Sequence, residues 1–500
     1  MFLYFFLFLA LIGTYLILRP LLIMIKLKVQ FGKQVYFYYI PILGVIQIYR
    51  SSAKKGNPQQ WVIDIITKHP EVKLIVSNSV TKPVFIIVDP EYYKPLYLDH
   101  HLLVKHDQSG IKEYIVILNI SFLLSKGLLF AEGEKWKEQR SLLGDHFLFE
   151  KLKERIPMMN QVTRDAINNK QTVDQVFQYI CSITGGVVIR SFFGQEAEGW
   201  LINDKPAQIE LGEILKSFVL VRFSNFFIYF KQKLLGMKSW DYFIKFKQDL
   251  NQIISKRKSK IEKEGRKWEN GDFLDVYLNK LSKSKDTQES YQYETEDIIS
   301  QFITLFLAGT ETTGALVSNS LLFLSENTSY LEELRNEAKS ALVDGQVTAD
   351  SLKKLVQLEC FLKEVMRLKP SVVHPIVRQP KSDIQIKDLF IKKGSYILLG
   401  SFLANINSNH YEKPLEFNPK RWLQSKPIQI DNGFVNIPFA AGGRNCIGQH
   451  MAMIEARIIL AHVILNYDVI KNPELTKVNW LSRGIQTYLP DDAIRLKKLE

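Results

Sequence analysis

The ten residues FAAGGRNCIG, Phe439 to Gly448, constrain this chain more than any other stretch. They hold one of three cysteines in 500 residues and surround it with glycines and an arginine. A helix-like segment follows at once and runs to about Leu465, so Cys446 is predicted to lie just ahead of a helix N-terminus. Free N–H groups and the positive end of the helix dipole stabilise negative charge on sulfur there. Glycine lets the backbone come close to a flat group, and Arg444 adds a cation. As a thiolate, Cys446 is the best soft ligand in the chain. On its residues alone it reads equally as an inert buried thiol. Paired with His450 it would be half of a zinc site, for which no second pair sits close in sequence.

Hydrophobic residues make up 46% and aromatics 12%, enough for a large core, which excludes global disorder. Length alone suggests two or three domains, yet no linker or repeat divides the chain. The net charge of +13 suits nucleic acid, an anionic membrane or an acidic partner. The densest basic cluster, Lys256, Arg257, Lys258, Lys260, Lys263, Arg266 and Lys267, is interleaved with Glu262 and Glu264. It reads as a solvated helix end or loop, and no nucleic-acid partner is expected. Cys181, Cys360 and Cys446 are far apart with no CxxC pair, which argues against a disulfide framework or structural zinc and suits a reducing compartment.

Residues 2 to 18, FLYFFLFLALIGTYLIL, carry no charge, and Arg19-Pro20 is expected to end the run. As a helix they span about 25 Å, slightly short of a ~30 Å hydrocarbon core, and LLIMI beyond can extend them. A cleaved signal peptide wants a basic start and a small-residue cleavage site, and neither is evident. Arg19, Lys26, Lys28 and Lys33 follow the run and keep the remainder cytosolic by the positive-inside tendency. The expected organisation is therefore a transmembrane anchor at 1–25, a basic and apolar hinge linker at 26–50, and one large body at 51–500. The body reads as mainly α with a minor β portion. From about 130 to 370 the apolar spacing is helical. From 371 to 445 prolines break helices, and DIQI and SYILLG alternate like strands.

Three further stretches carry chemistry. FITLFLAGTETTGALV, residues 302 to 317, is an apolar and hence buried helix, predicted to start near a capping Thr295 and interrupted by Thr310 to Thr313 between Gly309 and Gly314. Buried Glu311 needs a partner, water or a task. Thr312 can bond back to the Ala308 carbonyl and bend the helix, offering a groove and a proton relay. The bland alternative is a polar patch facing a polar neighbour. In CFLKEVMRLKP, Leu355, Leu358, Leu362 and Val365 form an apolar stripe, and Glu364 with Arg367 falls opposite, an ordinary surface pair when taken alone. In GEKWKEQR, Trp136 and Arg140 lie one turn apart, either aimed together at an anion or merely stacked.

Taken together, these stretches resemble the cytochromes P-450, the haem-thiolate monooxygenases, from Pro41 onward. FAAGGRNCIG fits F-x-x-G-x-R-x-C-x-G at Phe439, Gly442, Arg444, Cys446 and Gly448. AGTETT fits the oxygen-activation helix, EVMR the E-x-x-R pair, and FNPKRW the segment whose arginine, Arg421, completes that pair's network. WKEQR fits the W-x-x-x-R helix that reaches the haem propionates, and Arg378 sits where another propionate arginine is common. PILG looks like the remnant of a proline-rich hinge.

The resemblance implies the P-450 fold with an N-terminal transmembrane helix, haem b ligated by Cys446, and Thr312 with Glu311 managing protons during oxygen activation. It implies that Glu364, Arg367 and Arg421 form a buried network bracing the haem face. It also implies insertion of one oxygen atom into a lipophilic substrate, with NADPH electrons delivered by the flavins of a P-450 reductase whose acidic face suits the +13 charge, or by cytochrome b5. The implied location is the endoplasmic reticulum membrane, with a single-pass anchor and the catalytic domain in the cytosol. The expected pocket walls are the Phe302–Gly309 helix face, residues near 110–122, residues 217–230 and the Val372–Pro375 turn. A haem-thiolate isomerase or dehydratase is the alternative enzyme, which would have no need of the Glu311–Thr312 relay; a non-catalytic haem sensor or carrier is the other. Lys420 stands where the family usually has glutamate, and Gly443 where membrane-bound members often have proline.

Overall fold

The structure is a computed structural model that describes the chain except residues 1, 42, 58, 80–81, 100, 106–126, 195–198, 203–204, 212–238, 265–271, 285–293, 374–376, 425–427, 429–432, 476 and 483–484. The central element is the 32-residue helix Thr295–Glu326, whose apolar run is buried as its composition requires. Its cap lies one residue earlier than Thr295. Glu294 accepts from the amide three residues on, while Asp297 accepts from the Glu294 amide at 2.9 Å, and this reciprocal pair satisfies two orphan donors at once. Helices Val176–Phe193, Gln449–Asn466 and Val356–Leu368 pack around this central helix. Val176–Phe193 is long and apolar enough to cross a membrane, yet most of it is buried inside this core.

The β portion is small. One sheet has six strands in the order Val35–Phe37, Leu74–Ser79, Lys82–Ile87, Tyr396–Leu399, Arg378–Pro380 and Leu103–Lys105. The DIQI and SYILLG stretches form strands as their alternation predicts: Ile384–Ile386 pairs with Leu389–Ile391 in a separate two-stranded sheet, and Tyr396–Leu399 runs parallel to Lys82–Ile87 within the six-stranded one. A three-stranded sheet joins Tyr467–Lys471, Ile494–Lys498 and Thr172–Val173.

The N-terminal helix departs from expectation. It passes both the Arg19-Pro20 end of the uncharged run and the expected anchor boundary at 25, and runs unbroken from Phe2 to Phe31. Proline removes one backbone bond and crowds the preceding turn; one residue beyond the carbonyl so deprived, that of Ile17 accepts a 2.6 Å bond from the Tyr39 hydroxyl. Beyond Pro20 the helix is held by the sheet, where Met24 and Leu27 are buried among Val35, Val76 and Phe85. Residues 26–50 are therefore no loose linker. They contain the end of this helix, the edge strand Val35–Phe37 and most of the helix Gly44–Lys54.

Candidate active site

The cysteine loop is fixed by its own backbone. Cys446 N–H donates to the Phe439 carbonyl at 2.9 Å, and Asn445 N–H to the Gly442 carbonyl at 3.1 Å. Gly442 has φ +70°, and a Cβ there would lie 2.0 Å from the Tyr97 carbonyl oxygen. Its lack of a side chain thus serves a protein contact, with the helix Pro90–Leu98, as well as the turn. The helix Gln449–Asn466 starts directly after, capped at Gly448. Solvent reaches Cys446 although protein atoms surround it closely, the arrangement of a group on the floor of a hollow. Burial pushes its thiol up, while a hydrogen bond from the Gly448 amide and the charge of Arg140 pull it down.

The expected arginines converge, with different partners from those spacing suggested. Arg140 lies one turn from Trp136 but does not share its target. It donates to the Asn445 carbonyl at 2.8 Å and to Asn445 Oδ1 at 2.5 Å. Trp136, buried in the core, carries the Arg444 guanidinium 3.9 Å above its ring. Arg444 also donates to the Ala131 carbonyl at 2.7 Å and pairs with Glu132 at 2.8 Å. The cation acting on Cys446 is therefore Arg140, and Arg444 is turned toward Glu132. Burial, with the neighbouring Arg378 and Arg140 charges, lowers Arg444 to about 10 against the pull of Glu132. Arg378 is lowered by burial too, and Glu132 acts on it in the opposite sense. Arg444 and Arg378 thus share the Glu132 carboxylate, with the Arg140 charge close by, and such a cluster favours further negative charge.

The second half of the site is the central helix. Thr312 Oγ1 donates to the Ala308 carbonyl at 2.5 Å, and the Thr312 carbonyl accepts from Ser371 Oγ at 2.8 Å. Side-chain competition of this kind bends a helix. Gly309 and Gly314 let it lie close to Val176–Phe193: a Cβ on them would meet Val188 Cγ2 at 2.8 Å and Cys181 Sγ at 2.6 Å. Ala308 is exposed in the middle of this buried helix, and Leu305, Glu311 and Thr312 are half-buried. The open face is consequently Leu305, Ala308 and Thr312. Phe302 and Phe306 point the other way, Phe302 lying 5.1 Å from Phe192 and 4.7 Å from Phe193 between ring centroids, which corrects the expected pocket wall. Residues 127–132 tie the halves together: Leu128 N–H donates to Gln301 Oε1 at 3.1 Å, and Ala131 accepts from Arg444. The other expected walls, near 110–122 and at 217–230, lie outside the described residues, as does most of the end of the Val372–Pro375 turn.

Glu364 and Arg367 are fully buried, so the surface-pair alternative fails. Their helix is covered on both sides, because residues 405–422 fold over the face opposite the leucine stripe. Glu364 Oε1 accepts from Arg367 Nη2 at 2.9 Å, Asn418 N–H at 2.9 Å and Arg421 Nε at 3.0 Å. Its Oε2 accepts from Arg367 Nε at 2.9 Å and Trp422 Nε1 at 3.0 Å. The remaining Arg367 donors go to the carbonyls of Asn405 at 2.7 Å, Pro414 at 2.5 Å and Glu416 at 3.1 Å. All five donors of this guanidinium are used. Lys420 is exposed and pairs with Glu333 at 3.0 Å, outside the network.

Sequence reasoning missed Glu132, Asn445, Ser371, Asn418 and Trp422. Trp422 and Asn418 lie within FNPKRWL beside Arg421, the one available signal. Glu132 and Arg444 are separated by 312 positions, and no spacing rule reaches that far.

The site's chemistry fits haem. A soft sulfur donor lies on the floor of a hollow, beside the Arg140, Arg378 and Arg444 cations, and the central helix presents the Thr312 hydroxyl on its open side. Among the described residues no group of three or more His, Cys, Asp or Glu converges to hold a metal alone. Comparison with known proteins agrees. The family model described as Cytochrome P450 matches residues 37–497. Cytochrome P450 3A13 of Mus musculus is 26% identical over 453 residues, covering 86% of this chain and 84% of that protein. Cytochrome P450 3A9 of Rattus norvegicus is 26% identical over 443 residues with the same coverage, and Cytochrome P450 3A16 of Mus musculus is 28% identical over 408. The solved structure titled retinoic acid bound cyanobacterial CYP120A1 shares the fold, with a TM-score of 0.71 over 93% of this chain and 99% of that one, at 18% identity. The chain belongs to the cytochrome P450 family and is a haem-dependent monooxygenase.

Proposed function

We propose that this chain is a membrane-anchored P450 that inserts one oxygen atom into a lipophilic substrate, drawing electrons from NADPH through a flavin reductase, with cytochrome b5 as a second donor. Residues 2–18 anchor it in the endoplasmic reticulum membrane, and the basic residues after them keep the catalytic body cytosolic. The observation that carries the reading is Cys446: accessible at the floor of a hollow, bonded by the Gly448 amide and placed beside Arg140.

Cys446 is the residue that would hold haem iron. Its thiol, pushed up by burial, gives up its proton when a metal binds, and the Gly448 amide and Arg140 then stabilise the anionic sulfur. Arg140, Arg378 and Arg444 would meet the two haem carboxylates, Arg444 held flat by Trp136. When bound, haem supplies the activation of dioxygen. Thr312 already holds a proton donor on the open helix face and can hand it toward that face by leaving the Ala308 carbonyl. Glu311, the adjacent carboxylate, resupplies it. The Glu364, Arg367, Arg421 and Trp422 network braces the segment 405–422.

The test is turnover in membranes with a flavin reductase. NADPH consumption should be accompanied by an oxygenated product, and Thr312→Ala should lower product formation about 10²-fold or more. Unaltered turnover in Thr312→Ala would remove the relay from this account, and no product with any lipophilic substrate class would return the chain to a haem sensor or carrier.

A further inference from the structure

The N-terminal helix has two halves with different surroundings. Along residues 2–18 large apolar side chains are exposed, Tyr4, Phe8, Leu11, Tyr15 and Leu18 among them. Between Pro20 and Phe31 the helix is docked: Met24 is 0% and Leu27 5% exposed against the sheet. Lys28 Nζ donates to the Val35 carbonyl at 2.8 Å and Gln30 Nε2 to the Asp388 carbonyl at 2.6 Å. Tyr39 closes the collar on Ile17, beside the proline.

The back of the docked half is also apolar. Leu22, Ile25 and Val29 are 59%, 47% and 83% exposed. At about 100° per residue they form one narrow stripe roughly opposite Met24, Leu27 and Phe31. Exposed Arg19, Lys26 and Lys33 flank it. A soluble helix that docks by one face turns a polar face outward; this one turns out leucine, isoleucine and valine. The stripe continues the uncharged surface of residues 2–18, so lipid is the occupant that covers both.

Residues 2–19 span about 27 Å, nearly a full hydrocarbon core, so a straight perpendicular helix would leave Val29 some 15 Å outside it. Pro20 is a site where a helix bends. We propose that the helix bends there, so that residues 20–31 lie obliquely in the bilayer's interfacial layer, Leu22, Ile25 and Val29 facing lipid and the lysines facing headgroups. The catalytic body hangs on the other face of the same helix. Its orientation to the membrane is then set by the Met24–Leu27 contact and the Tyr39 bond rather than left free by a hinge. This rests on the reading of residues 2–18 as a membrane span.

The experiment is depth-resolved spin labelling of the full-length holoprotein in vesicles of mixed zwitterionic and anionic phospholipid. Single labels go at Phe8→Cys, Ile25→Cys, Val29→Cys and Lys33→Cys in a Cys181→Ala, Cys360→Ala background, with retained haem absorption as the check on folding. Labels at 25 and 29 should read depths of about 5–10 Å, the range of an interfacial helix, with 8 deeper and 33 in water. Labels at 25 and 29 in water, or as deep as 8, overturn this inference while leaving the anchor intact. A label at 8 in water overturns the anchor itself.

Discussion

Replacing Glu364 by alanine removes one carboxylate and leaves two buried guanidiniums, an indole N–H and a backbone amide facing each other. Five hydrogen bonds end on that carboxylate, all between 2.9 and 3.0 Å. Counted as independent charge-assisted bonds at about 1.5–3 kcal/mol each, they would sum to roughly the ~5–15 kcal/mol stability of a whole domain. That sum is too large, because desolvating the three ions offsets most of it. The relevant quantity is the penalty of stranding a buried charge, about 3–5 kcal/mol. Arg367→Lys should cost nearly as much, since an ammonium has three donors where the guanidinium uses five. The assay is urea unfolding of the haem-loaded protein in detergent, following far-ultraviolet circular dichroism and haem absorption together. Both variants should move the midpoint strongly to lower urea and release haem earlier. A loss under about 1 kcal/mol for Glu364→Ala, the range of an exposed pair, would refute this reasoning.

Gly442→Ala should cost at least about 1–3 kcal/mol, from its left-handed backbone and the Tyr97 carbonyl in its path, and should lower haem retention; a variant that melts and retains haem like the parent contradicts the role given to that turn. His462 is buried and lowered to about 4, and its Nε2 is bonded to Asn160 Oδ1 at 2.8 Å. Because the unfolded chain binds this proton near pH 6.5 and the folded one only near 4, stability should fall by about 3 kcal/mol as pH drops through that window. His462→Gln should flatten the slope between pH 6.5 and 5 in thermal unfolding, and an unchanged slope assigns it to other groups.

How much was legible depended on how local each feature is. The cysteine loop, the central helix with its Thr312 back-bond and the strands near 384 and 396 follow from residues within a few positions of one another. Glu364 and Arg367 misled the helical-wheel reading because a wheel shows which face is apolar, not whether a distant segment covers the other. Trp136 met Arg444 rather than Arg140 for the same reason: turn spacing ranks near neighbours, and the stack comes from a loop 308 positions on by sequence number. The uncharged run ends at Arg19-Pro20 and the anchor is expected to end at residue 25, whereas the helix continues to Phe31, held beyond the proline by Met24 and Leu27 packing on the sheet.

The central claim is that Cys446 ligates haem iron as a thiolate, and the absorption spectrum of the reduced protein with carbon monoxide tests it most directly. The parent protein should show the strongly red-shifted Soret band of thiolate ligation. Cys446→Ala should abolish that shift, while Cys181→Ala and Cys360→Ala keep it. A parent complex without the shift, or a Cys446→Ala complex that retains it, would contradict the account.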